Sequence, residues 1–182
     1  MITIWGGANR TKAFRALNPK EKIPVLVDGD FVLSESAAIV TYLGDTYGPD
    51  TGLVPKPYTR ERALYNQWLA FVQMELDAHT LYVMRKHRDL ADLYGEAPQA
   101  IAAAVEGFNK QVDVADQHLA SKQYLVGEQF TGADIMLSSV LGWAAFYGID
   151  LAANLREYNE RTTARPAFAA AAKINFSITP ED

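Results

Sequence analysis

The sequence predicts a small α/β unit followed by an all-α helical bundle. Three observations carry this. Strand-like patterns occupy residues 2–5 and 25–33, breakers cluster between residues 48 and 57, and apolar residues then recur at helical spacing with no intervening strand signal. With 182 residues, 49% of them apolar and 21% charged, the chain has material for one large domain or two small ones, each with a core. The expected division is residues 1–48, a linker at 49–57, and 58–182.

Residues 2–5 alternate as a short strand rather than forming a basic segment with an apolar stretch behind it, so no signal peptide is expected and the cytoplasm is the default location. Pro24 opens the apolar strand 25–27, where its missing N–H costs no ladder bond. Asp28-Gly29-Asp30 then supplies a turn tolerant of positive φ, and residues 31–33 return as the partner strand. Ser34, Glu35 and Ser36 are good first-turn residues for a helix marked by Ile39, Leu43 and Thr46-Tyr47. Taken singly, these are ordinary caps and an ordinary strand opener. Together they deliver free backbone donors and a hydroxyl to one point, suited to a small peptide-like anion.

Gly48, Pro49, Gly52, Pro55 and Pro57 end the first unit. Apolar residues at Leu64, Trp68, Phe71-Val72, Leu76 and Val83 predict one long amphipathic helix from Tyr58 onward. A second runs from Pro98 through Ile101, Val105, Phe108, Val112, Ala115 and Leu119. Residues 124–127 form an extended link, and Thr131-Gly132-Ala133-Asp134 makes a capping box, structural rather than chemical, with a lost cap costing about 1 kcal/mol. The apolar region 135–153 contains Ser138, Ser139, Gly142, Gly148 and Asp150, so it reads as a buried helix and not a membrane span. A helix at 151–160 and another after Pro166 bring the second unit to four or five helices.

The chain has no cysteine, which excludes a disulfide framework, thiolate metal ligation and a cysteine nucleophile. A net charge of −5 argues against nucleic acid and anionic membrane as partners. His79, His87 and His118 lack metal-ligand spacing, so no metal is expected. The run Arg85-Lys86-His87-Arg88 reads either as a solvated helix end favoured by the dipole or as a source of one cation facing a cleft. Tyr65, Trp68, Tyr82 and Met84 suit an apolar pocket, although most lie on the core stripe.

In order and spacing, Asn18-Pro19, Ile23-Pro24-Val25-Leu26, Leu33, Glu35-Ser36-Ala37-Ala38-Ile39 and Tyr42-Leu43 closely resemble the N-terminal signature of the glutathione transferase family. Thr131 to Asp134 resembles the box opening the core helix of its C-terminal domain. The resemblance covers nearly the whole chain from Lys12 onward. It implies a thioredoxin-like first domain with a cis proline at Pro24, glutathione as co-substrate with its cysteinyl part paired to the backbone of Ile23, and Glu35 and Ser36 at the γ-glutamyl end. It also implies thiolate attack on a small apolar electrophile, and a homodimer with the first long helix pair and the first unit's last helix at the two-fold contact.

The chain departs from the family between its first strand and Thr11. Residues 11–17 already resemble the segment that precedes Asn-Pro, so one helix and one strand of the usual crossover are lacking, and a parallel connection needs about a dozen residues or more. A lost segment, an engineered deletion and a loop dropped from the sequence all fit. A real loss would leave one apolar face of the sheet uncovered. No tyrosine or serine precedes Ser34, so the catalytic donor falls to Thr11, Asn9 or Arg10, which read equally as solvated loop residues. Lowering a thiol pKa of about 8.5 by about two units takes about 2.7 kcal/mol, within reach of one charge-assisted donor at roughly 1.5–3 kcal/mol. The competing reading is a binding or scaffold protein on the same fold, without turnover.

Overall fold

The computed structural model describes residues 7–175. The strand expected at 2–5 lies outside the described residues. A single 3-10 turn, Ala8–Arg10, leads into helix α1 (Lys12–Leu17), whose N-cap Thr11 accepts from the Phe14 amide at 3.2 Å. Strands β1 (Val25–Asp28) and β2 (Phe31–Ser34) form an antiparallel hairpin with Leu26 opposite Leu33 and Val27 opposite Val32. Gly29, first of its two turn residues, takes φ 62°, which a side chain would oppose. Among the described residues this is the only sheet. The pair Val27 and Val32 is 52% and 39% exposed.

Helix α2 (Ser36–Tyr47) follows directly. After the loop at 48–59, α3 (Arg60–Phe71), a widened π-type segment (Val72–Leu81) and α4 (Tyr82–His87) run on as one helix. The expected long helix is therefore present but not regular. The Thr80 hydroxyl donates to the Leu76 carbonyl at 2.6 Å inside the widened turns, and the extra residue stretches the buried spacing from Leu76 to Leu81. The stripe differs in detail from the one expected: Leu64 is exposed and Val83 only partly buried, while Tyr65 and Met84 fill the core.

A single-turn helix, α5 (Ala91–Tyr94), precedes α6 (Pro98–Leu119), which opens on Pro98 and buries Ala104, Phe108, Val112, Ala115 and Leu119. Helices α7 (Gly132–Phe146), α8 (Ala153–Thr163) and α9 (Pro166–Asn175) complete the bundle. The core lies between the long helix, α6, α7 and α8, with Tyr65, Leu76, Phe108, Leu137, Leu141, Leu155 and Tyr158 fully buried. No helix among the described residues is long and apolar enough to cross a membrane.

The capping box at Thr131 does more than cap. Asp134 has no solvent exposure and accepts from the Thr131 amide at 2.7 Å, the Thr131 hydroxyl at 2.9 Å, the Leu125 amide at 3.0 Å and the Tyr158 hydroxyl at 2.8 Å. One carboxylate thereby ties the 124–131 loop, α7 and α8 together. Burial, aided by Asp134, holds the Tyr158 phenol well above the usual tyrosine range. Beside it, Gly132 lets α2 approach: a Cβ there would sit 2.4 Å from Val40 Cγ1 and 2.6 Å from the Tyr65 hydroxyl. The Thr41 and Tyr65 hydroxyls meet at 3.0 Å across the same junction.

Candidate binding cleft

A cleft of about 760 Å³ separates the loop before β1 and the start of α2 from the long helix and α7. Ile23, Pro24, Glu35 and Ser36, the four binding residues read from the sequence, all line it. The Ile23-Pro24 peptide bond is cis.

The loop carrying this edge is held from both ends. Asn18, 3% exposed, donates from Nδ2 to the Lys22 carbonyl at 2.6 Å and accepts the Lys20 amide at 3.1 Å. Glu21 sits at φ 58°, with its carbonyl receiving Asn9 Nδ2 at 2.6 Å and its carboxylate receiving Arg15 at 2.6 Å. A backbone so pinned spends little entropy on meeting a ligand. The sequence marked Asn18 only as part of a pattern, and the signal available was its type: a short amide able to satisfy two backbone groups in a turn.

Glu35 takes the N-cap position of α2 at φ 75°, and its side chain makes no cap bond. Backbone in this region is costly for a glutamate and is held where the site demands it. The first-turn amides of α2 are left without a side-chain cap, so the helix start keeps its donors for an anion. The half-buried Ser36 hydroxyl has no hydrogen-bond partner among the described residues. The Lys20 ammonium bridges the Glu35 carboxylate and the Ser34 hydroxyl, the latter at 3.2 Å.

The opposite wall mixes charge with apolar surface. Lys22 reaches across to lie 4.3 Å from the Tyr82 ring centroid, and Asp77 and Arg85 line the same wall. Burial pushes the Asp77 carboxyl up, opposed by the positive charges of Lys22 and Arg85. Ile135, Val140 and Trp143 of α7 form the apolar side. Of the expected pocket residues, Tyr82 lines the cleft, whereas Tyr65, Trp68 and Met84 are buried in the core. From the basic run it is Arg85 that faces the cleft. Among the described residues no cluster of histidine and carboxylate side chains could hold a metal ion.

Asn9, Arg10 and Thr11 are not among the residues lining the cleft. The Thr11 hydroxyl donates to the Ala8 carbonyl at 3.0 Å and caps α1, the Asn9 amide is bonded to Glu21, and Arg10 is exposed.

Residues 1–51 match the family model of the glutathione S-transferase N-terminal domain, and residues 98–170 match that of the C-terminal domain. Glutathione S-transferase 2 of Anopheles gambiae is 37% identical over 157 residues, 82% of this chain and 69% of the mosquito protein. The chain belongs to the glutathione S-transferase family. Its fold is that of the family, a thioredoxin-like N-terminal domain with few strands followed by an all-helical domain. A glutathione S-transferase from Xylella fastidiosa superposes with a TM-score of 0.77 at 29% identity, covering 92% of this chain and 82% of that one. A sphingomonad glutathione S-transferase solved in complex with glutathione gives 0.76 at 31% identity, covering 91% of this chain and 79% of that one. This family member spans about two thirds of the length of the curated relatives it matches.

Proposed function

We propose that this glutathione S-transferase family member binds glutathione along the cleft and directs its thiolate at an apolar electrophile lying against α7. The γ-glutamyl carboxylate rests on the Ser36 hydroxyl and the first-turn amides of α2, its ammonium against Glu35, and the cysteinyl backbone pairs with Ile23 beside Pro24. The observation that carries this reading is that Ile23, Pro24, Glu35 and Ser36, from two separate stretches of chain, line one cleft. Holding thiolate and electrophile together supplies proximity, and a nearby donor lowers the thiol pKa. Asn9, Arg10 and Thr11 stay in this reading as the donor set; Arg10 alone among them has a side chain without a partner among the described residues. We further propose that residues 1–48 and 58–182 are the two domains, and that the protein is a homodimer with the first long helix pair and α2 at the two-fold contact.

A second reading has one observation in its favour. The proposed donors lie outside the cleft lining, as they would in a protein that binds glutathione without turning over an electrophile. Retention on immobilised glutathione together with turnover of an aryl halide supports the transferase. Retention without turnover supports a binding protein, and dimerisation with neither property supports a scaffold and overturns the transferase.

A further inference from the structure

Arg85 projects into the cleft from the last turn of α4, half-buried, and among the described residues it makes no side-chain hydrogen bond or ion pair. Its neighbours in the basic run are all engaged. Lys86 lies 5.3 Å from the Tyr82 ring centroid and 5.7 Å from that of Tyr94, the His87 ring meets the Gly95 carbonyl at 2.8 Å, and Arg88 donates to the Tyr147 carbonyl at 3.3 Å. A half-buried guanidinium has given up part of its hydration, and here no protein acceptor replaces it. Its planar fork matches the two oxygens of a carboxylate.

Lys22 and Arg85 place two cations on this wall beside one carboxylate, Asp77, whose charged form burial disfavours and these two cations favour. With Lys20 bridged to Glu35, the cations Lys22 and Arg85 outnumber Asp77 here, a balance that favours an anion over a cation. The apolar side of the same cleft offers Val140 and Trp143 for an apolar body.

We propose that Arg85 is a carboxylate subsite for the second substrate, so that the electrophiles this protein prefers are apolar compounds carrying a planar carboxylate. This rests on the transferase reading above. In such a reaction the glutathione sulfur forms the new bond to carbon and a halide leaves with its electron pair. The carboxylate is held and not consumed. A carboxylate could also come from the glycyl end of glutathione, and the experiment separates the two sources.

The test compares kcat/KM for a chloronitrobenzoate and the matching chloronitrobenzamide in the wild-type protein and in Arg85→Gln and Arg85→Lys, with glutathione affinity measured by calorimetry for each. The wild type favours the benzoate. Arg85→Gln lowers the benzoate-to-benzamide ratio by roughly 10- to 100-fold, Arg85→Lys lowers it less, and glutathione affinity holds. An unchanged ratio overturns the inference. So does a loss of glutathione affinity without a change in ratio, which assigns the carboxylate to the glycyl end. Turnover of benzamide without preference leaves the transferase reading intact while this inference fails; absence of both glutathione binding and turnover removes both.

Discussion

The two parts of this glutathione S-transferase family member solve different problems with unequal resources. The helical bundle buries Tyr65, Phe108, Leu137, Leu141, Leu155 and Tyr158 completely and closes on a carboxylate with four donors. Residues 7–48 bury Phe14, Asn18, Ala37 and Ile39, and leave Ile23 exposed in the loop before β1 and Val27, Phe31 and Val32 exposed on a two-stranded sheet. Among the described residues that sheet has two strands, and a hairpin by itself is marginal in water. The described part bearing the binding edge takes support from the bundle through α2, which packs over Gly132 and touches Tyr65.

Breaking the strong part has the largest effect. Asp134→Ala leaves the Leu125 and Thr131 amides and the Tyr158 hydroxyl unpaired in the interior, and denaturant unfolding should show a loss of about 3–5 kcal/mol. Striking the junction comes next. In Gly132→Ala the new methyl meets Val40 and Tyr65, so unfolding should register about 1–3 kcal/mol, with glutathione affinity falling as α2 lifts. A loss of stability with unaltered affinity would mean that the binding part does not lean on α7.

The smallest effect lies at the exposed end of the hairpin. The Tyr42 and Tyr47 hydroxyls both donate to the Asp28 carboxylate, joining β1 to α2. The bonds from Tyr47 and then Tyr42 hold the Asp28 carboxyl below its usual range, and the same carboxylate pushes Tyr47 up to about 12. Asp28 is lowered by folding, so its contribution is complete above the unfolded value of about 4 and is lost as pH falls through the folded pKa. Tyr47 is raised, so its share is complete below about 10 and is lost as pH climbs toward about 12. Unfolding followed against pH should show this plateau in the wild type and lose both shoulders in Asp28→Asn.

Much of this contrast was legible in the residues. The Gly29 turn, the Pro98 helix with its spacing of three and four, and the Thr131 box follow from local chemistry, and the structure has each of them. What was not legible depends on partners distant in sequence. The box gave no sign that Tyr158 would join Asp134 across 24 positions. The widened segment at 72–81 keeps its apolar residues near helical spacing, so a pattern of period 3.6 passes through it unseen. Glu35 looked like a cap and instead holds φ 75° with its carboxylate turned to Lys20. The binding residues were readable because they form a contiguous pattern, whereas Arg85 was one residue of a four-residue basic run until the fold chose it.

The central claim is that the start of α2 and the Pro24 edge together receive glutathione. Calorimetric titration of glutathione into the wild-type protein and Ser36→Ala tests it most directly. The account predicts saturable binding to the wild type and affinity reduced roughly 10- to 100-fold in the variant, the worth of one hydrogen bond to a charged group, with unfolding midpoints of the free proteins alike. Equal affinity in the two proteins would contradict it.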